Sequence, residues 1–303
     1  MEGRQSHGIS GKQILLTGGT NGIGLAAAGA LAARGANVAI VARDRQRGEG
    51  AAARARAAAA AAGAETVVDV LVADLNLQSD VRRLAAEVEQ RYEKLDVLAN
   101  NAGAIFSARQ MTPDGVERTW ALNHLAPFLL TALLMDMLRA SAPARVVTTS
   151  SDASGRAHIP FDDLAGERSY ARGGAFGRGF TRYGETKLAN IVFTAELARR
   201  TQGSGVAAYC FHPGLVATGF NRNNGALMNL GMSVIRPFAR SPRKGAETLV
   251  WLAESPDLAG QSGGYFFDLK PKQVPPGATE PGVGPRLWEI SEKQVSGSEP
   301  PPA

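Results

Sequence analysis

The alternation of short apolar runs with helical stretches is the feature that most restricts how this chain can fold. Several of the apolar runs are apolar on both faces, which is typical of parallel strands covered by helices on both sides. The predicted strands are 12–17, 37–41, 66–72, 95–99, 145–149 and 206–211. The helical stretches between and after them end at Arg34 or span about 44–62, 79–92 and 114–139, and a further helix begins at Tyr183. The pattern predicts an α/β fold with one doubly wound parallel sheet.

The domain organisation follows from where the composition changes. No linker divides the chain before residue 270, so we assign residues 1–270 to a single domain. Half of the sixteen prolines lie beyond Lys270, and we interpret 271–303 as a proline-rich C-terminal extension. Within it, R-L-W-E-I-S-E-K predicts a short helix docked by Leu287, Trp288 and Ile290. We expect the final residues to be disordered.

Charge and cysteine content limit the function classes. The net charge is +5, but the surplus arginines are spread along the chain without a block of like charges, so we expect no nucleic-acid partner. The single cysteine, Cys210, fits a reducing compartment. The N-terminus lacks the apolar core of a signal peptide, and the longest apolar region contains Pro127 and Asp136. We therefore expect a cytoplasmic protein with no membrane partner.

A glycine-rich turn joins the first predicted strand to the first helix. The sequence T-G-G-T-N-G-I-G places Gly18, Gly22 and Gly24 there, with the spacing G-x-x-x-G-x-G. Glycines let the backbone approach a ligand closely, and the helix N-terminus offers N–H groups and partial positive charge to a pyrophosphate. In the first strand–helix unit this turn predicts a dinucleotide-binding, Rossmann-type sheet.

The end of the second strand bears on which dinucleotide is bound. Arg43 stands where NAD-binding sheets carry an acidic residue for the ribose 2′-hydroxyl, and a guanidinium suits a 2′-phosphate. We expect NADP(H) rather than NAD(H), with Arg43 contacting the phosphate. Asp44 is the opposing observation, because it lies where an acidic residue of the NAD type could reach the ribose.

Polar residues also follow the third and fourth strands. Asp74 in A-D-L could accept hydrogen bonds from an adenine, or it could cap the next helix. Asn101, Ala102 and Gly103 in N-N-A-G could hold backbone near a ligand or make a turn.

A tyrosine and a lysine share one face of a helix in Y-G-E-T-K. Tyr183 and Lys187 are four residues apart, and Leu188, Ile191 and Val192 continue an apolar helical face. A neighbouring ammonium favours the phenolate and lowers the pKa of a tyrosine, which suits general acid–base catalysis.

Together these motifs resemble the short-chain dehydrogenase/reductase family over about residues 10–270. The matching pieces are T-G-G-T-N-G-I-G, A-D-L, N-N-A-G, Asn123 in A-L-N-H-L, Ser150-Ser151, Y-G-E-T-K and H-P-G. Within the family the chain is most similar to the retinol-dehydrogenase-like group, through T-K-L-A-N-I-V-F-T-A-E-L-A-R-R, Y-C-F-H-P-G, G-A-E-T and S-G-G-Y-F-F-D.

The resemblance implies a catalytic role for four residues. Tyr183 would exchange a proton with the substrate oxygen, and Lys187 would lower the pKa of Tyr183 and hold the nicotinamide ribose. Ser151 would hydrogen-bond the substrate oxygen, although Ser150 is the alternative. Asn123 would help to hold a water that links Lys187 to solvent. Tyr170 also lies in the substrate region but has no lysine four residues later.

The resemblance also implies a set of cofactor-binding residues. Besides Tyr183 and Lys187, these are Gly18, Thr20, Asn21, Gly22, Ile23, Gly24, Arg43, Asp74, Leu75, Asn101, Ala102, Gly103, Pro213, Gly214, Val216 and Thr218. Two positions depart from the family pattern: Thr186 replaces the usual serine, and Asn21 stands where a basic residue often marks NADP binding. We predict no metal site, because His124 and His212 lack clustered partners at ligand spacing.

The expected reaction is hydride transfer between NADP(H) and a small-molecule carbonyl or alcohol. Residues 152–182 and 219–243 are placed to cover the substrate, and His158 in the first stretch could touch it. The second stretch has an apolar side that suggests a hydrophobic substrate, or that forms a core for its own helices. A nucleotide-binding regulator without catalysis is the alternative function, and a nucleotide-sugar epimerase would need a larger C-terminal domain. Pairing into a homo-oligomer is compatible with the sequence but not required by it.

Overall fold

The parallel sheet that the sequence predicts is present in a computed structural model that describes residues 8–171, 179–216 and 239–296. Eight strands form one sheet in the order β3-β2-β1-β4-β5-β6-β7-β8, and only the β7–β8 pairing is antiparallel. The strands are β1 Gln13–Thr17, β2 Asn37–Ala42, β3 Val68–Val72, β4 Val97–Asn100, β5 Ala144–Thr149, β6 Val206–Phe211, β7 Tyr265–Phe267 and β8 Lys270–Pro271.

Helices cover both faces of the sheet. They are α1 Gly22–Ala32, α2 Arg45–Ala61, α3 Gln78–Arg91, α4 Arg118–Trp120, a π-helix at Ala121–Leu125, α5 Ala126–Leu133, α6 Met135–Ala140, α7 Glu167–Ala171, α8 Phe180–Arg200, α9 Pro242–Glu254 and α10 Val283–Ser296. Short 3₁₀ helices span Asp152–Arg156, Pro256–Leu258 and Pro276–Ala278. The predicted Rossmann-type doubly wound architecture is confirmed.

Two hydrophobic cores explain why the strands are apolar on both sides. One core joins one sheet face to α3, α5, α8 and α10, and the other joins the opposite face to α1, α2 and α9. All five residues of β1 are buried, because β1 lies between β2 and β4 and is covered on both faces. The alanine-rich helix α2 packs closely enough that a Cβ on Gly48 would lie 2.5 Å from Val70 Cγ1.

The long helix predicted over 114–139 starts later and is irregular. Its first four residues form a turn and a cap: Gly115 has a φ of 72°, and the Glu117 carboxylate accepts hydrogen bonds from the Thr119 and Trp120 amides. A π-helix then replaces the regular turns at Ala121–Leu125, and the chain breaks again at Leu134 between α5 and α6. Helical periodicity in the sequence does not reveal such local changes of pitch.

The helix after residue 280 is longer than the predicted R-L-W-E-I-S-E-K. Its buried face is formed by Val283, Leu287, Ser291 and Val295, and Trp288 packs beside that face. Ile290 was expected to dock the helix, but it lies off this face and is only half-buried. The predicted disorder of the last residues falls on 297–303, outside the described residues. Among the residues described, no helix combines the length and the apolar character needed to cross a bilayer.

Candidate active site

The glycine turn and the N-N-A-G turn meet at the point where the strand order reverses. They follow β1 and β4, which are adjacent in the sheet, and ligands of doubly wound folds bind in the crevice outside such strands. Asn101 Nδ2 donates hydrogen bonds to the Thr17 and Gly18 carbonyl oxygens at 3.1 and 3.3 Å. The Ala102 amide donates to Thr17 Oγ1 at 3.0 Å, so the two turns are tied together.

Glycine is required at two positions of the first turn. Gly18 has a φ of 70°, and a Cβ there would lie 2.8 Å from Ala102 Cα. A Cβ on Gly24 would lie 2.2 Å from the Gly18 carbonyl oxygen. Asn21 caps α1 by accepting a hydrogen bond from the Gly22 amide at 2.8 Å. The turn therefore presents backbone and a helix N-terminus rather than side chains, which fits a pyrophosphate.

The two charged residues after β2 have different environments. The Asp44 carboxylate caps α2 by accepting a hydrogen bond from the Arg47 amide at 2.8 Å. The Arg43 side chain is exposed at the carboxyl end of β2. Asp44 therefore already has a structural role, while Arg43 is accessible to a ligand at this edge of the sheet.

Asp74 shapes its own turn rather than capping the next helix. Asp74 Oδ1 accepts hydrogen bonds from the amide and from Nδ2 of Asn76, at 3.1 and 2.6 Å. The N-cap of α3 is Leu77, and the Gln78 amide is bound by Asp114 Oδ2 instead. The capping alternative for Asp74 is thus wrong, and the neighbouring Leu75 is buried.

Ser151, and not Ser150, faces the Tyr183 hydroxyl. Tyr183 is buried on α8, and the Ser151 side chain lies close enough to its phenol to lower the pKa of the phenol. Ser150 Oγ instead donates to the Lys187 carbonyl oxygen at 2.7 Å and is fully enclosed. Gly184 makes this approach possible, since a Cβ there would lie 2.6 Å from the Ala153 carbonyl oxygen. The sequence left the two serines as alternatives, and their geometry separates them.

In the polypeptide alone, the pKa of Tyr183 is shifted in the direction opposite to the prediction. Burial raises the pKa of Tyr183 to about 12, and the hydrogen bond from Ser151 opposes that rise. The predicted lowering of the phenol's pKa by Lys187 is therefore wrong for the protein alone, because removal of the phenol from water dominates. Burial also lowers the pKa of Lys187 to about 8.

Asn123 and Lys187 converge on Gly103. A Cβ on Gly103 would lie 3.1 Å from Lys187 Nζ and 3.2 Å from Asn123 Oδ1. Asn123 lies in the π-helix, where its Oδ1 accepts from the Ala104 amide and its Nδ2 donates to the Ala104 carbonyl oxygen, both at 2.9 Å. Nδ2 also donates to Thr186 Oγ1 at 3.1 Å, so the threonine keeps the hydroxyl of the usual serine.

The H-P-G turn lies beside the same crevice. Gly214 has a φ of 76°, and its amide donates to His212 Nδ1 at 3.2 Å. Val216 packs against α9, where a Cβ on Gly245 would meet both Val216 and Ile23. Thr218 lies outside the described residues. So does most of the second stretch of the predicted substrate cover, 219–243, including Phe220, Leu227, Met228, Leu230, Met232, Ile235 and Phe238.

His124, His212 and His158 contact other side chains of the protein rather than one another. Burial lowers the pKa of His124 to about 3, and burial together with nearby Lys272 lowers the pKa of His212 to about 4. His212 stacks on Phe267 with ring centroids 4.2 Å apart, and His158 Nδ1 lies 2.8 Å from Glu280 Oε1 at the surface. Across the described ranges, no three potential ligands cluster around a metal position.

A buried ionic cluster beside Tyr183 was not predicted. Arg182 Nε donates to Glu117 Oε2 at 2.8 Å, and Nη1 donates to Glu185 Oε2 at 3.2 Å. The Arg182 and Glu117 side chains are both 0% exposed. Tyr170 joins the cluster by donating from its hydroxyl to Glu117 Oε1 at 3.0 Å, so Tyr170 has a structural role. The sequence signal was a charged pair, Arg182 and Glu185, three residues apart at the start of α8.

Asp152, which follows Ser151, is tied to the H-P-G turn. Lys272 Nζ donates to Asp152 Oδ1 at 2.7 Å and lies 2.9 Å from His212 Nε2. The hydrogen bond from Lys272, together with its charge, holds the pKa of Asp152 below its usual range. The loop that carries Ser151 and the turn that carries Gly214 are therefore joined through one lysine.

The sequence and fold have counterparts among known proteins. The family model described as short chain dehydrogenase matches residues 12–161. Human (Homo sapiens) retinol dehydrogenase 14 is 40% identical over 302 residues, covering 95% of this chain and 87% of that protein. A Streptomyces sp. (strain C5) protein assigned as a daunorubicin C-13 ketoreductase is 39% identical over 289 residues, covering 95% and 94%.

A solved structure extends the similarity to a cofactor complex. The active-site complex of Pseudomonas aeruginosa RhlG with NADP superposes with a TM-score of 0.67 at 27% identity. The match covers 87% of this chain and 97% of that one.

Proposed function

The chain belongs to the short-chain dehydrogenase/reductase family, in its retinol-dehydrogenase-like group, and on that premise we propose an NADP(H)-dependent reaction on a carbonyl or alcohol. The enzyme is an oxidoreductase. Its reaction would interconvert a hydrophobic ketone or aldehyde and the corresponding alcohol, with Tyr183 exchanging the proton.

The nearness of the Ser151 side chain to the Tyr183 phenol, with Ser150 turned away to the Lys187 carbonyl oxygen, is the observation that carries this proposal. The hydroxyl groups of Ser151 and Tyr183 would then both face the crevice at the carboxyl ends of the strands. A carbonyl oxygen that meets both hydroxyls would accept two hydrogen bonds as negative charge develops on it. Ser151 would orient the oxygen, and Tyr183 would deliver its proton.

Lys187 and Asn123 support the tyrosine from one side. Lys187 Nζ is held by the Thr149 carbonyl oxygen at 2.9 Å, close to the Tyr183 ring. Its charge would stabilise the phenolate that remains after proton donation. Asn123 would hold the water through which that proton is restored.

Residues of the glycine turn and the strand ends would bind the cofactor, which supplies the hydride. The pyrophosphate would lie against Gly18, Gly22, Gly24 and the N-terminus of α1, and a side chain added at Gly18 or Gly24 would clash with the turn. Arg43 would contact a 2′-phosphate. Because the Asp44 carboxylate caps α2, it is less available to bind a ribose 2′-hydroxyl, which favours NADP(H). Asp74, Leu75 and Asn101–Gly103 would line the adenine and ribose region. Pro213, Gly214 and Val216 would border the nicotinamide.

Two kinds of observation support a hydrophobic substrate. The relatives named above are a retinol dehydrogenase and an assigned daunorubicin C-13 ketoreductase, and both names denote alcohol or carbonyl chemistry on molecules with large carbon skeletons. The apolar residues in 219–243 are placed by the sequence to follow the nicotinamide turn. A panel of hydrophobic ketones and aldehydes is therefore the appropriate substrate screen.

Oxidation of NADPH against that panel, with wild type and two tyrosine variants, tests the proposal. Tyr183→Phe is expected to lower kcat by at least about 10²-fold, because it removes the proton donor but keeps the ring. Tyr92→Phe is the control. Tyr92 lies at the C-terminal end of α3, away from the crevice, and its hydroxyl donates a hydrogen bond to Asp69 in β3. Full turnover by Tyr183→Phe would refute the role of Tyr183. Cofactor binding without turnover of any substrate would favour a regulator.

A further inference from the structure

Helix α10 contacts the helical segment that carries Asn123 at three successive turns. Trp120 Nε1 donates to Gln294 Oε1 at 2.9 Å, and His124 Nε2 lies 2.9 Å from Ser291 Oγ. Phe128 packs edge-on against Trp288 with centroids 5.0 Å apart. These residues of the segment are four apart, so one continuous face is covered by α10.

The direction of the His124–Ser291 hydrogen bond can be assigned. Ser291 Oγ donates its only proton to the Leu287 carbonyl oxygen at 2.8 Å. The hydroxyl therefore accepts from His124 Nε2–H. Both residues are 0% exposed, so neither group has water as an alternative partner.

The C-terminal turn of α10 is also fastened. Gln78 Nε2 donates to the Gln294 carbonyl oxygen at 3.1 Å, and Arg82 Nη2 donates to the Val295 carbonyl oxygen at 2.6 Å. Helix α3 thereby satisfies carbonyl groups that the end of a helix leaves free. Helix α10 is fixed by α3 as well as by the segment it covers.

Asn123 points away from α10, toward the crevice. Its side chain bonds Ala104 and Thr186, whereas His124, the next residue, bonds α10. The π-helix at Ala121–Leu125 is thus held from both sides. Such wide turns are rare, and they persist where the surroundings over-determine them. If the contacts on the α10 side were lost, relaxation toward a regular α-helix would rotate Asn123 out of its position.

We infer that α10 is a positioning element for the active site, in which Ser291 and Gln294 hold the π-helix so that Asn123 faces Lys187. This inference rests on the proposed function, because it gives Asn123 a part in proton delivery to Tyr183. Ser291 and Gln294 touch neither the crevice nor Tyr183 and act through Trp120 and His124.

Two serines of α10 provide a matched test. Ser291 and Ser296 both donate to the carbonyl oxygen four residues earlier, at 2.8 and 2.7 Å, but Ser296 is exposed and does not contact the π-helix. Ser291→Ala is expected to lower kcat on the order of tenfold, because a small displacement of a catalytic group is costly. Its NADPH dissociation constant should remain within about twofold of wild type. Ser296→Ala should match wild type in both measurements.

A double mutant distinguishes positioning from a general loss of structure. If Ser291 acts through Asn123, then Asn123→Ala/Ser291→Ala is no slower than Asn123→Ala alone. Independent, multiplying losses would overturn the inference, as would equal kcat values for the two serine variants. Trp120→Phe keeps an aromatic ring but removes the indole N–H that donates to Gln294, and it should show the same non-additivity with Asn123→Ala even if Ser291→Ala folds poorly.

Tyr183→Phe, assayed in parallel, separates the two proposals. Full turnover by Tyr183→Phe would refute the proposed role of Tyr183 as proton donor. Loss of turnover in Tyr183→Phe, combined with an unaffected Ser291→Ala, would refute only the role of α10.

Discussion

Lys187 Nζ lies 5.6 Å from the centroid of the Tyr183 ring but donates its hydrogen bond to the Thr149 carbonyl oxygen at the end of β5. The helix brings the two side chains together, and the sheet fixes the ammonium. The lysine therefore links the tyrosine to the strand that leads into Ser151.

Removing the Lys187 charge should impair proton transfer. We expect Lys187→Met to lower kcat by at least about 10²-fold, because the phenolate loses its nearest cation. Lys293→Met, on the exposed side of α10, is the control. Measuring kcat and the NADPH dissociation constant for both variants checks this; wild-type turnover in Lys187→Met would contradict it.

The pH dependence should differ between the two reaction directions. The pKa of Tyr183 is raised to about 12 in the protein alone, so the phenol keeps its proton at neutral pH. Carbonyl reduction needs that proton and should be flat between about pH 6 and 8, whereas alcohol oxidation needs the base and should rise with pH. Profiles of kcat/KM in both directions test this, and an oxidation rate that falls with rising pH would exclude Tyr183 as the base.

Two glycines of α1, Gly24 and Gly29, provide a test of cofactor binding at the glycine turn and a matched control. Gly24→Ala should weaken NADPH binding by at least about tenfold, because a Cβ there would lie 2.2 Å from the Gly18 carbonyl oxygen and displace the turn. Gly29→Ala places its Cβ at an ordinary 3.7 Å from Ala58 Cβ and should leave binding unchanged. Equal dissociation constants for the two variants would argue against a cofactor at this turn.

Cofactor preference should depend on Arg43. Arg43→Ala is expected to raise the KM for NADPH by about tenfold and leave the KM for NADH nearly unchanged, because only NADPH carries the 2′-phosphate. Arg54→Ala is the matched control, because Arg54 is also an exposed arginine but lies in the middle of α2. A wild type that prefers NADH would refute the NADP(H) assignment at once.

The buried ionic cluster should matter for stability. Arg182→Met leaves the Glu117 and Glu185 carboxylates without their cation, and we expect it to lower the free energy of unfolding by about 3–5 kcal/mol. Arg139→Met removes an exposed ion pair with Asp136 and should change the free energy of unfolding by less than about 0.5 kcal/mol. Denaturant titration of both variants provides the comparison, and similar midpoints would show that the cluster contributes little.

Acid should destabilise the fold partly through His124. Its pKa is lowered to about 3 from an ordinary 6.5, so between these values the unfolded chain binds a proton that the native state does not. The stability present above about pH 6.5 is therefore lost as the pH falls. We expect the Tm of His124→Phe to fall less steeply with acidification than that of wild type. His212, whose pKa is also lowered, keeps some acid sensitivity in the variant.

Local patterns were sufficient to determine much of this protein. Hydrophobic periodicity predicted six strands in order and the helices between them, because burial on both faces of a parallel sheet leaves a continuous apolar signature. The four-residue spacing of Tyr183 and Lys187 puts them on one helix face in any fold. The order of the motifs along the chain predicted the family.

Only the tertiary structure decided the features that depend on distant parts of the chain. Ser150 and Ser151 are equivalent in sequence, but successive extended residues point in opposite directions, and packing against α8 selects Ser151. The direction of the pKa shift of Tyr183 depends on the exclusion of water from its phenol, and residue spacing in the sequence does not predict that. Arg182 meets Glu117 across 65 residues, and α10 reaches the π-helix from more than 160 residues away. Such contacts follow from the close packing of the whole chain, whereas the motifs follow from local backbone geometry.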